Sequence, residues 1–489
     1  MALRQPLTAV PSVARLCCYR TWLSCRQRHE YTTSAAASKD VGSSTTTAVP
    51  AWLSRVLHDK APAPQLYRWT PDDVAGQRRA RRADRAALDD SRKRIYIVGM
   101  GNLGRLFAAT LASLPNRPPI TLVVHRSSLL EQWRSAPGVT LHPPGYVDEE
   151  QSQPDSSAHI ADFDIEMWSE TPPPATDVLK AEISPIKNLI IATKAQDALQ
   201  TADWVRRYLG PDSAVAFAQN GMNKLWPPYG AIYSKARYGD TAHSPLWLAC
   251  VVTHGVYSVG PFASVHASPA DVVVGAVDNV AGRDTENVYL VSQILAASQL
   301  AARLVPRHVL WVLQLEKLVI NAVINPLTAI LRCKNGALFS VDTTDDEAAA
   351  ILARVIDQLL AEASAVLREL VQHEIKTGSI FVDSATSADA SVAALLERFS
   401  FTSLRALIYR VGELVKDNSS SMYQDAQAGK KTEVGEFNGW IVDMARYLES
   451  VAATDGTTLD VTGHQTVVDL VEKAVVMSKE ELGNHFIRQ

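Results

Sequence analysis

The chain has 489 residues, 47% of them hydrophobic and 20% charged, with a formal net charge of −4. That length leaves room for two sizeable cores, and the acidic balance makes the body a poor general partner for nucleic acid. Of the five cysteines, Cys17, Cys18 and Cys25 sit near the start and only Cys250 and Cys333 lie in the body. This excludes a disulfide framework, and no His/Cys/Asp cluster has the spacing of a metal site. No unbroken apolar run reaches the ~18 residues a membrane span needs, so no transmembrane helix is expected.

Residues 1–29 hold five arginines and no lysine or acid. Arginine-rich, acid-free composition predicts a mitochondrial transit peptide over 1–30 and a matrix location; an ordinary disordered tail is the alternative. Residues 31–90 read as a disordered linker, because "TTSAAASKDVGSSTTTAVP" is poor in bulky apolar side chains. The basic run "QRRARRADR" at 77–85 reads as a solvated face, with RNA or membrane contact as the alternative.

Order is predicted from "KRIYIVGMGNLGRLFAATLASL" (93–114), a short β-branched run that leads through glycines into a helical pattern. Strand-like runs follow: "ITLVVHR" (120–126), "NLIIATKA" (188–195), "SAVAFAQNG" (213–221), "LACVVTHGVYSVG" (248–260) and "DVVVGAV" (271–277). Helical segments lie between several of them. Alternation of this kind predicts a doubly wound parallel α/β sheet over 91–302. Residues 143–185, rich in Pro, Ser and acids, read as a surface insertion.

After residue 303 the period becomes helical. "DEAAAILARVIDQLLAEASAVLRELV" (346–371), "FNGWIVDMARYLESVAA" and "HQTVVDLVEKAVVMSKEEL" carry apolar pairs at helical spacing. Few strand signals remain, so 303–489 is predicted to be an all-helical domain.

Two patterns carry chemistry. "GMGNLG" (Gly99, Met100, Gly101, Asn102, Leu103, Gly104) fits the dinucleotide-binding glycine pattern in its required context, strand before and helix after. The second strand ends "VVHRSS", with no acid for a ribose 2′-hydroxyl. Arg126 stands there instead, which favours NADP; a plain surface arginine is the alternative. The other pattern is "EKLVINAVINPLTAIL" (316–331). Lys317, Asn321 and Asn325 recur every four residues and so share one helical stripe. An ammonium in a desolvated cleft can stabilise a developing alkoxide and protonate it, and its pKa falls as it is buried. Snorkelling of Lys317 to solvent is the alternative. Pro326 is expected to end or kink this helix just after Asn325.

Together "GMGNLG", "QNGM", "KLVINAVINPLTAI" and "SSMYQDAQAGKKTE" resemble the ketopantoate reductase (2-dehydropantoate 2-reductase) family, in order and spacing, from about residue 93 to the C-terminus. The resemblance implies an NADPH-binding Rossmann domain followed by a helical domain like the C-terminal one of 6-phosphogluconate dehydrogenase, with substrate in the cleft between. It implies Lys317 as general acid and Glu433 as the acidic partner that orients it. Asn220, Asn321, Asn325, Asn418 and Ser421 match substrate positions, with Asn220 also near the nicotinamide. Lys194 and Arg126 match cofactor-phosphate contacts. The implied reaction is NADPH-dependent reduction of 2-dehydropantoate by a monomer or homodimer without a metal. Reduction of another 2-keto acid is the second reading, and a non-enzymatic mitochondrial binding factor on this fold the third. Departures from the family pattern are Asn223, where a glycine is usual, and added material near the domain edges at 143–185 and about 373–405.

Overall fold

The computed structural model describes residues 49–76, 92–146, 158–174, 178–278, 285–339, 346–381, 389–452 and 458–486. The leader expected at 1–30 and the basic run at 77–85 lie outside the described residues.

The first elements are α1 (Ala51–His58), β1 (Tyr67–Trp69) and α2 (Pro71–Val74). They correct the linker expected over 31–90, at least for 49–76. Leu53 and Leu66 are fully buried, and the Leu66 N–H donates to the Tyr208 hydroxyl at 2.7 Å. The low-complexity run ends near residue 48, and Trp52, Leu53, Leu57 and Leu66 then supply an apolar face that must be covered.

There follow β2 (Ile95–Val98), α3 (Asn102–Ala112), β3 (Ile120–Val124), α4 (Ser127–Ser135), β4 (Val139–His142), β5 (Ala158–Ile160), β6 (Asp164–Ser169) and α5 (Val178–Ala181). Next come β7 (Asn188–Ile191), α6 (Ala195–Trp204), β8 (Ala214–Ala218), α7 (Tyr229–Tyr238), β9 (Leu246–Val252), β10 (Gly255–Gly260), β11 (Ala263–Ser268), β12 (Val272–Ala276), α8 (Tyr289–Ala296) and β13 (Ala302–Leu304).

Nine strands make one sheet in the order β1-β6-β3-β2-β7-β8-β9-β12-β13. The six from β6 to β9 are parallel, in the strand order of dinucleotide-binding folds. β3 and β8 are buried along their whole length, as expected where helices cover both faces. The sheet is nevertheless mixed, because β1 runs antiparallel to β6 and β12 antiparallel to β9. It also runs on to Leu304, so the boundary drawn at 303 falls within a strand.

Two further expectations are corrected. β6 comes from the presumed surface insertion at 143–185 yet is part of the main sheet, with Glu166 buried and accepting from Trp168 Nε1 at 2.9 Å. The run at 248–260 breaks at Thr253 and His254 into β9 and β10, which belong to different sheets. β10 joins a small sheet, β10-β11-β4-β5.

The rest is helical: α9 (Arg307–Leu331), α10 (Asp346–Thr377), α11 (Asp389–Arg398), α12 (Phe401–Leu414), α13 (Ser421–Gln427), α14 (Val434–Val451), α15 (Thr462–Glu472) and α16 (Lys479–Phe486). No strand follows Leu304 among the described residues. α9 is the axis, with α10, α13, α14 and α15 packed around it. By length and mean hydropathy (1.2) it could cross a membrane, but 67% of that window is buried inside the protein, so it serves as a core helix.

α9 passes straight through Pro326, where a break was expected. Proline has no N–H to give the carbonyl of Ala322, four residues back. The side chain of Asn438, from α14, supplies the missing donor: Nδ2 to Ala322 O is 2.8 Å. Asn438 Nδ2 also donates to His464 Nδ1 at 3.0 Å, and His464 Nε2 donates to Leu359 O at 3.0 Å. This fixes a neutral imidazole, and burial pushes its pKa down to about 4. Asn438→Ala should therefore cost about 1–3 kcal/mol, measured by urea unfolding, because it strands a buried carbonyl. In a Pro326→Ala background the same change should cost less, since alanine at that position restores the helical N–H. Equal costs in both backgrounds would sink this account.

Candidate active site

The carboxyl ends of β8 and β9 meet the middle of α9 at Lys317. A ligand crevice belongs where the strand order reverses, here between β2 and β7. The glycine loop shows why. Gly99 has φ +96°, and a Cβ on it would lie 2.7 Å from the carbonyl carbon of Ala192, just after β7. A Cβ on Gly104 would lie 2.0 Å from Gly99 O. Those two glycines are demanded by packing. Gly101, the N-cap of α3, differs: a Cβ there would meet nothing within 4 Å. The open space faces the first N–H groups of α3, a setting that suits a phosphate.

The other loop residues shape this cradle. Leu103 packs on the core, Met100 O accepts from Arg105 Nε at 3.0 Å, and Asn102 Oδ1 accepts from Ser264 Oγ at 3.2 Å. Arg105 reaches on to Ser258, Gly260, Ala263 and Ser264, tying the small sheet to the loop. Burial pushes its pKa down to about 10. Nothing in the sequence pattern singled it out. At the end of β3, Arg126 is exposed as the N-cap of α4, beside the phosphate loop and free of any acid at that strand end.

Lys317 sits in the middle of α9, partly buried. Its Nζ donates to Asn220 Oδ1, after β8, at 2.9 Å and to the carbonyl of Val252, at the end of β9. The third N–H is left over. Desolvation pushes the ammonium down to about 8, partly opposed by the carboxylates of Glu433 and Asp271. Asn321 and Asn325 are buried along the same stripe, about 6 Å apart per step of four residues. The Nδ2 of Asn321 is buried with no protein partner, an unused donor one turn from the lysine.

Glu433 and Lys194 bond to each other across the two domains. Glu433 Oε1 accepts from the Ala195 N–H at 2.9 Å, so it caps α6 of the sheet domain. Its Oε2 lies 3.3 Å from Lys194 Nζ, which lies 2.6 Å from Asp425 Oδ2 as well. Lys194 is therefore engaged by two carboxylates of the helical domain. Glu433 acts on Lys317 through its field and not through a bond. Asp425 stood in the quoted motif but went unnoticed, because its partner is far away in the chain.

Asn418 and Ser421 are not brought to Lys317 by any contact. The carbonyl of Asn418 accepts from Asn335 N, and Ser421 is exposed on the first turn of α13. Its neighbour Ser420 is the buried one, capping α13 and bonded to Thr328 Oγ1 at 2.7 Å. Gln314, three residues before Lys317, was also missed. It donates to Gly221 O at 2.9 Å and accepts from Trp226 Nε1 at 2.6 Å, pinning the loop that carries Asn220. Asn223 opens that loop, its Oδ1 accepting from Leu225 N at 2.9 Å.

Comparison with known proteins finds matches to both halves of the chain. Residues 95–279 match the family model described as Ketopantoate reductase PanE/ApbA, and 309–464 match its C-terminal counterpart. A ketoisovalerate reductase of Gibberella fujikuroi is 41% identical over 89% of this chain and 98% of its own length. One from Beauveria bassiana is 38% identical over 90% and 99%. A probable 2-dehydropantoate 2-reductase of Schizosaccharomyces pombe is 28% identical over 72% and 90%. Among solved structures, D-mandelate dehydrogenase has the same fold, with a TM-score of 0.51 at 14% identity over 80% of this chain and 99% of that one.

The desolvated ammonium has a thermodynamic signature. Its folded pKa of about 8 lies below the ordinary 10.5, so the unfolded chain binds more protons between those values and stability rises with pH there. Lys317→Met should melt higher than the parent at neutral pH, and the gap should narrow above pH 8. A gap that stays constant across that range in calorimetry would refute the depressed pKa.

Proposed function

Since the chain belongs to the ketopantoate reductase family, we propose that it reduces the ketone of a 2-keto acid with NADPH, and that this acid carries a small branched aliphatic chain, as 2-ketoisovalerate does. The observation that carries the reading is the Lys317 ammonium, held by Asn220 and Val252 with one N–H unspent at the mouth of a dinucleotide cradle. A reduced nicotinamide, when bound, supplies the hydride for the C2 carbon. Lys317 binds the ketone oxygen, stabilises the negative charge that grows on it, and hands over the proton that completes the 2-hydroxy acid. Asn321 and Asn325 hold the substrate carboxylate, using amide donors such as the unpaired Nδ2 of Asn321. Glu433 and Asp271 keep the lysine protonated near neutrality, against the desolvation that lowers its pKa. Asn220 fixes the direction of the ammonium. Arg126, with no acid at the end of β3, favours the 2′-phosphate of NADPH over NADH.

The order of candidate substrates changes relative to the sequence reading, which put 2-dehydropantoate first. The relatives named ketoisovalerate reductase are more similar and are covered almost completely; 2-dehydropantoate remains the second reading on the weaker likeness. The two acids differ by a hydroxymethyl group, and a site built to hydrogen-bond its hydroxyl rejects the analogue lacking it far more strongly than an apolar pocket rejects the reverse. No observation favours a binding factor, and the Lys317 ammonium held by Asn220 and Val252 supports reduction. The arginine-rich start remains the ground for proposing a mitochondrial location.

Initial rates of NADPH oxidation with both acids test this. The expected result is a higher kcat/KM for 2-ketoisovalerate; a large excess for 2-dehydropantoate would return the protein to pantoate synthesis. Lys317→Ala should lower kcat by about a hundred- to ten-thousand-fold. Reduction by the parent should decline above pH 8 as the ammonium deprotonates, while oxidation of the hydroxy acid gains there. Arg126→Glu should lower kcat/KM for NADPH by about tenfold or more and leave NADH nearly untouched.

A further inference from the structure

A cavity of about 520 Å³ is lined by residues that flank the Lys194–Glu433 contact, among them Gln196, Thr432 and Val434. Its walls are the C-terminal end of α9, the loop before Glu433, the first turn of α6 and the end of α15. Three cations line it: Arg332, Lys430 and Lys431. Of its two acids, Glu436 is already paired with Lys224 at 2.9 Å, which leaves Glu472 alone against three positive charges.

Two buried polar atoms among its lining residues have no hydrogen-bond partner: Nη1 of Arg332 and Oε1 of Gln196. A buried guanidinium nitrogen without a partner is costly and calls for an explanation. Helix capping does not supply one, since Arg332 Nη1 bonds none of the terminal carbonyls of α9. The backbone adds a second, independent mark. Arg332 is the C-cap of α9 with φ +51° and ψ +43°, a left-handed position where glycine is favoured. A bulky side chain with a Cβ is strained there. An arginine with a left-handed backbone and a buried, unspent donor, together with two lysines, all lining one cavity, are the features of an anion site.

We propose that this cavity is a binding site, separate from the catalytic cleft, for a small metabolite bearing a phosphate or carboxylate group. Arg332 and Lys431 take the oxyanion, and Gln196 accepts from a hydroxyl or amide of the same ligand. The loop Gly429–Thr432 that frames the cavity runs between Asp425 and Glu433, the two carboxylates that hold Lys194. Occupancy therefore bears directly on the contact between the domains.

The test titrates inorganic phosphate and, separately, succinate into the full chain by calorimetry, alongside Arg332→Gly, Lys431→Ala and Arg126→Ala. The parent should bind one of the two saturably, and the tighter one names the ligand class. Arg332→Gly should weaken that binding about tenfold or more, Lys431→Ala should weaken it in the same sense, and Arg126→Ala, at the dinucleotide cradle, should leave it unchanged. Without added anion, Arg332→Gly should melt at or above the parent temperature, because glycine accepts the left-handed backbone. Absence of binding by the parent, or equal affinity in parent and Arg332→Gly, overturns the site. A marked drop in the melting temperature of anion-free Arg332→Gly does so as well, since it would assign the arginine to the helix end instead.

Discussion

The arrangement of this protein follows from one constraint: an ammonium has to stay charged inside the axial helix of the helical domain. Burial works against the proton on Lys317, and burial is the largest influence on it, since its pKa ends below the ordinary lysine value. Two neutral acceptors, Asn220 and Val252, hold the nitrogen without neutralising it. Both come from carboxyl ends of the parallel strands, so a single lysine nitrogen stitches the helical domain to the sheet domain. Direct pairing with a carboxylate would grip the proton tightly. Here the acids act from a distance, and the proton stays transferable near neutral pH.

That division of labour explains where Glu433 is found. It lends Lys317 its field while its oxygens are spent on Ala195 and Lys194. The same logic covers the other ties across the cleft. Gln314 holds Gly221 and Trp226, and Lys224 pairs with Glu436. Each tie fixes a loop at a strand end to α9 or α14, so the geometry around the ammonium depends on contacts between the domains as much as within either one.

What the sequence could reveal was local. The glycine loop was legible because its demands are steric and span six residues. The stripe of Lys317, Asn321 and Asn325 was legible because helical geometry alone puts those positions in line. Arg126 could be placed because its offset from the glycines is set by one strand and one helix. What escaped was whatever a distant partner decides. Pro326 should end a helix by any local rule, yet Asn438, which is 116 positions away from Ala322, overrides it. Lys194 and Glu433 are separated by 239 positions, so no pattern could show that they meet. β1 and β6 were hidden for another reason. β1 has only three residues, and both strands lie in Ser-, Pro- or acid-rich chain, so each becomes a strand by adding to a sheet its neighbours have formed.

Helix α6 opens with no side-chain cap of its own; the group that satisfies its first N–H is the carboxylate of Glu433, 238 positions later. During synthesis, then, the helix that follows β7 emerges with an open end and keeps it until nearly the whole chain has been made. The sheet domain reaches its final state only when the helical domain closes over it. A chain stopped near residue 302 would lack both this cap and the lysine that binds Asn220 and Val252. The two halves are thus separate in pattern but not in maturation: the step that finishes the fold is the same step that assembles the site.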